Sequence, residues 1–123
     1  MKLDDNHFTT ASGKASHAEG IGTVASNEGA HSEGQSTTAS GTASHAEGVS
    51  TIASGKGAHA EGIKDGTGRS PEAFGTGSHA EGLSTYAYGA GSHAEGSLTE
   101  AGNRAHAEGE FTKATGRASH SEG

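Results

Sequence analysis

The chain has 123 residues, 22 of them Gly, with no Cys, no Trp, only 28% apolar residues and a formal net charge of −7. Its large core candidates are Leu3, Phe8, Ile21, Val24, Val49, Ile52, Ile63, Phe74, Leu83, Tyr86, Tyr88, Leu98 and Phe111. Burying each gains roughly 1.5–3 kcal/mol, whereas ordering every residue costs roughly 1–2 kcal/mol, which excludes an ordinary globule.

Residues 1–6 form a lead-in without the apolar run of a signal peptide, and no segment approaches the roughly 20 apolar residues of a membrane span. If the mature protein sits outside a cell, an upstream region or lysis is expected to account for its delivery. The eight Lys and Arg are scattered singly, so no basic stripe for nucleic acid exists. Without Cys there are neither disulfides nor thiolate metal sites.

From residue 7 onward the chain repeats. "SHAEG" stands at 16–20, 44–48, 78–82 and 92–96, with near-copies at 30–34, 58–62, 105–109 and 119–123. Cutting after each Glu-Gly gives units 7–20, 21–34, 35–48, 49–62, 63–82, 83–96, 97–109 and 110–123. The period is fourteen, with one insertion and one deletion. Such strict register points to a repetitive assembly, because a disordered chain has no need of it.

Within a unit the third and fifth places read Thr and Ala, as in Thr51 and Ala53, and a Gly usually follows at the seventh. The tenth, twelfth and fourteenth places read Ser or Ala, Ala or Ser, and Gly. Side chains two apart share one face of a strand, so each unit is predicted to be two short strands joined by Gly-bearing turns. A helix would lose about 1 kcal/mol at each of its several Gly. Stacked about 4.8 Å apart, eight units give two parallel sheets around a thin interior of Thr, Ala, Ser and Gly, in a rod on the order of 40 Å long. The 20-residue unit is expected to carry a surface loop, "KDGTGRSP" at 64–71, and the 13-residue unit to lack one turn residue near Gly102.

The motif His and Glu take the alternate, outward places. They form two columns: His17, His31, His45, His59, His79, His93, His106 and His120 beside Glu19, Glu33, Glu47, Glu61, Glu81, Glu95, Glu108 and Glu122. The other strand shows Val24, Thr38, Ile52, Tyr86, Tyr88, Glu100 and Lys113 outward, without a rule. Regularity on one face alone implies that this face meets something equally regular.

The small-x-small-x-Gly strand, as in Ser44-His45-Ala46-Glu47-Gly48, resembles the YadA-like head repeat of trimeric autotransporter adhesins over residues 7–123. It is also similar to SHAEG-rich segments of phage tail fibres and prophage surface proteins. The resemblance implies an all-β, left-handed parallel β-roll of 14-residue coils, homotrimeric, with the second and fourth strand residues at the seam. The motif His and Glu then stand where the family has Val and Ile. Located on a virion or a bacterial cell surface, such a rod would present or contribute to host attachment, with a host glycan or protein as partner.

In a polar seam every Glu is expected to find a His, favouring protonated imidazole and raising its pKa. The seam would then be most stable in mildly acidic to neutral buffer. Three symmetry-related His could also hold a metal on the axis, or capture one adventitiously, but no resident cofactor is expected. Identical copies in every coil, without a nucleophile or a distinctive pocket, argue against an enzyme. A candidate binding patch for a glycan or protein comprises Arg69, Phe74, Tyr86 and Tyr88, where loop and aromatics break the regularity. A third reading, an ice-binding solenoid, would require the Thr column to face outward and would reveal itself by thermal hysteresis.

Overall fold

The computed structural model describes residues 9–64, 66 and 69–123. The lead-in at 1–6 and three positions of the 64–71 loop therefore lie outside the described residues. Short strands alternate with longer ones along the chain. The short ones are β1 (Thr10–Ala11), β3 (Val24–Ala25), β5 (Thr38–Ala39), β7 (Ile52–Ala53), β9 (Glu72–Ala73), β11 (Tyr86–Ala87), β13 (Glu100–Ala101) and β15 (Lys113–Ala114). The longer ones are β2 (His17–Ile21), β4 (His31–Gln35), β6 (His45–Val49), β8 (His59–Ile63), β10 (His79–Leu83), β12 (His93–Ser97), β14 (His106–Glu110) and β16 (His120–Glu122).

Odd strands form one 8-stranded sheet in sequence order and even strands form another. Every pairing is parallel and joins equivalent residues of successive coils. The chain is thus an all-β solenoid of about eight turns, as the period predicts. The register survives both irregular units: His59 pairs with His79 across the insertion, and His93 with His106 across the deletion. The insertion leaves after Lys64 and returns at Pro71, which takes the buried third place where other coils have Thr.

Among the described residues, no large aliphatic or aromatic side chain is buried in the interior. Apart from Pro71, its fully buried apolar residues are Ala, including Ala25, Ala39, Ala53, Ala73 and Ala87 facing Ala46, Ala60, Ala80 and Ala94. Thr23, Thr37, Thr51, Thr85 and Thr99 complete it. The Thr hydroxyls tie the two sheets together: those of Thr37, Thr51 and Thr112 donate to the carbonyls of Glu33, Glu47 and Glu108, each at 3.0 Å. At the tenth place the hydroxyls of Ser44, Ser78 and Ser92 donate to the carbonyls of Gly41, Gly75 and Gly89 at 2.6–2.7 Å, closing the turn. So small a core leaves the backbone ladders between coils as the dominant interaction, which is how a solenoid holds together by nearest-neighbour contacts.

The turns carry the predicted seventh-place Gly, as at Gly41, Gly55 and Gly75, but the left-handed conformation falls elsewhere. The left-handed residues sit at the second and ninth places, with φ between +54° and +67°, and are more often a residue such as Ser36, Ser50, Ala43, Ala118, Leu98 or Phe111 than Gly. The fourteenth-place Gly also departs from the expected inward position. Its backbone bends the long strand, with φ +110° at Gly48 and +111° at Gly82. It thereby becomes the open floor of a groove beside the Glu column.

Candidate functional site

Parallel, in-register stacking turns one His and one Glu per coil into two continuous columns on the outer face of the even-strand sheet. From His31 to His120 the imidazoles stack face to face, with centroids 4.6–5.0 Å apart and planes within 1–4° of parallel. His17, in the outermost described coil, tilts by 48° against His31.

From His31 onward each Nε2 lies between two carboxylates, one from its own coil and one from the coil before. His59 Nε2 is 3.4 Å from Glu47 and 3.6 Å from Glu61; His93 Nε2 is 3.4 Å from Glu81 and 3.6 Å from Glu95. His31, His45, His79, His106 and His120 repeat this with distances of 3.3–4.0 Å. His17 has only Glu19, at 3.8 Å. The sixteen sequence-predicted residues therefore come together as one zigzag ladder. Two rungs, His93 to Glu81 at 3.4 Å and His106 to Glu95 at 3.3 Å, are long hydrogen bonds, whereas the Nε2 atoms of His31, His45, His59 and His79 are buried without a hydrogen-bond partner.

Electrostatics reverse one expectation. Burial, followed by repulsion from stacked His59 and His93, lowers the His79 pKa despite attraction from Glu61 and Glu95. Desolvation outweighs the ion pair because the carboxylates are not close enough to compensate for it. His79 is therefore held neutral rather than protonated. Its contribution to stability is present above the ordinary His range and is lost as pH falls through the depressed value, the opposite of the expected sign. In the Glu column, Glu95 and Glu108 are shifted in opposite directions by their neighbours. Hydrogen bonds with Glu81 and Glu108 take Glu95 down to about 2, while those with Glu95 and Glu122 push Glu108 up.

Beside the Glu column runs an open groove of about 1100 Å³, lined by Glu47, Glu61, Glu81, Glu95 and their following Gly. The residue that follows each motif Gly stacks in register with its neighbours, and in four coils it is apolar: Ile21, Val49, Ile63 and Leu83. Ile21 and Ile63 are about half exposed, at 47% and 49%. This apolar strip was not anticipated, although its recurrence at one place of the repeat was a readable signal.

On the opposite sheet the patch residues separate. The Arg69 guanidinium lies 4.7 Å over the Tyr86 ring and donates to Glu100 Oε2 at 3.0 Å, with Lys113 3.3 Å from the same oxygen. Tyr86 and Tyr88 pack with centroids 5.3 Å apart. Arg69 and Tyr86 are thus engaged in clamping the loop across two further coils, while Phe74 stays exposed. Thr23, Thr37, Thr51, Thr85 and Thr99 are fully buried, with the Thr column facing the interior.

Burial raises the Glu100 pKa, but hydrogen bonds from Arg69 and Lys113 outweigh it and leave the carboxyl below its ordinary range. Its stabilisation is therefore complete above the unfolded carboxylate pKa and is lost as pH falls below it. Glu100→Gln is expected to lower stability by about 1 kcal/mol at pH 7 and by almost nothing at pH 3. Thermal melts of both proteins at the two pH values check this.

No helix of the described residues is long and apolar enough to cross a membrane. No protein-family model matches the chain, and no curated protein matches it.

Proposed function

We propose that this chain is a structural rod, a homotrimeric, left-handed β-roll segment of a phage tail fibre or bacterial surface adhesin, presenting a binding end to a host surface. One observation carries the reading: the His/Glu face repeats without exception from coil to coil, whereas the outward column of the other sheet runs Val24, Thr38, Ile52, Glu72, Tyr86, Glu100 and Lys113. Selection for stability alone acts on the buried Ala and Thr. A half-exposed face held constant along the whole axis fits a partner with the same axial repeat, and a second copy of this chain has it.

The groove supports the same partner. Its Gly floor admits close backbone approach, and the Ile21, Val49, Ile63 and Leu83 strip offers apolar area beside the polar ladder. Threefold packing about the rod axis buries this face in all copies at once and closes without leaving a sticky surface. The repeated face serves assembly, and attachment belongs to an end or to the loop side, where the sequence is free to vary.

Small-angle scattering tests the shape. The expected particle is a rod whose eight coils span on the order of 40 Å, with a cross-section of three rolls. A cross-section of one roll would overturn the reading.

A further inference from the structure

The ladder contains an arrangement that hydrogen bonding does not explain. A neutral imidazole whose Nε2 carries a lone pair would aim it at two carboxylates, and one carrying a proton could bond only one of them well. At His59 that nitrogen is buried and without a hydrogen-bond partner, between Glu47 and Glu61. A cation at the centre would satisfy all three groups together.

The spacing suits a particular class of cation. Zinc binds His nitrogen and carboxylate oxygen at about 2.0–2.2 Å, so two ligands on a tetrahedral ion lie roughly 3.3–3.4 Å apart. The His59 and His93 rungs, at 3.4 and 3.6 Å to their two carboxylates, match that edge with shifts of a few tenths of an ångström. The mixed donor set of one imidazole and two carboxylates favours zinc-like divalent ions over calcium or magnesium, which prefer oxygen ligands alone.

Charge determines how many rungs can fill. An ion on every rung would leave each Glu shared between two dications less than 5 Å apart, with excess positive charge on each coil. An ion on alternate rungs takes two whole carboxylates and is neutral. Only one phase uses every Glu once: His31 with Glu19 and Glu33, His59 with Glu47 and Glu61, His93 with Glu81 and Glu95, and His120 with Glu108 and Glu122.

We infer that the ladder is a linear array of divalent transition-metal sites, each built within a single chain from one His and the Glu of two successive coils, with water as the fourth ligand. The sites require no partner chain and do not rest on the trimer reading.

The test uses the whole chain, stripped with a chelator, dialysed, and loaded with zinc chloride. Metal analysis after equilibrium dialysis should give about four ions per chain, and calcium chloride in its place should give none. Cobalt substitution should show the intense visible absorption of tetrahedral coordination. The double variant Glu47→Gln, Glu61→Gln keeps every His and should lose one ion of the four. His59→Gln should lose the same ion, and circular dichroism verifies that both variants keep the fold. Fewer than two ions per chain, a stoichiometry unchanged by the two Gln substitutions in a folded variant, or octahedral cobalt would overturn the inference.

Discussion

Gly62→Ala is expected to destabilise the solenoid by about 3–5 kcal/mol, lowering the melting temperature by something like 10–20 °C. Two effects add. Gly62 has φ +124°, a conformation that L residues avoid, and a Cβ there would fall inside the van der Waals surface of the Gly82 carbonyl oxygen in the next coil. Because the obstacle is backbone, relief means spreading the two coils, and coil-to-coil hydrogen bonds are the main cohesion of this fold. Gly57→Ala is the control. Gly57 has φ +66°, but nothing lies within 4 Å of its Cβ direction. Its equivalent one coil earlier is Ala43, at φ +57°. That substitution should cost at most about 1 kcal/mol. Equal losses in thermal or urea melts would show that coil spacing is not the limiting quantity.

Ala46→Leu is the second large effect, with an expected loss of about 3 kcal/mol. Ala46 is fully buried, stacked between Ser32 and Ala60, and faces other small side chains across the interior. Neither the coil spacing nor the gap between sheets has room for three more carbons, and neighbours that are themselves Ala have no rotamers with which to yield. Ala46→Ser should be nearly neutral. In the preceding coil Ser32 already takes this place and shares a hydrogen bond with Thr37 at 2.7 Å, and Thr51 stands ready to do the same for a Ser at 46. Denaturant melts of the two variants separate overpacking from polarity at one site.

These contrasts also indicate what the sequence made legible. The period, the two sheets, the in-register His and Glu columns and the Thr/Ala interior follow from alternation and repeat spacing, since each coil must lay the same residue on its neighbour. Even the irregular units could be placed, because the motif resumes after each. The turns could not be read so well. Left-handed geometry at Ser50, Leu98 and Phe111 is imposed by coil closure, and nothing in those side chains announces it. The fourteenth-place Gly fitted an inward alternation but bends the strand, and only the bend creates the groove. The loop clamp depends on Arg69 reaching Glu100, 31 residues on, through stacked coils rather than through any local pattern.

The sign of the His79 shift was missed for a related reason. Pairing each His with a Glu by position captures attraction but not the 4.7–4.8 Å contacts with neighbouring imidazoles or the loss of water around them. A column is a different electrostatic object from a set of pairs.

The central claim is that this regular face is a threefold seam. Molar mass by light scattering coupled to size-exclusion chromatography, at neutral pH with and without a chelator, tests it most directly. The account predicts three times the 12.1 kDa of the chain in both buffers. The mass of a single chain, with the β signature intact, would contradict it and leave the His/Glu ladder facing solvent.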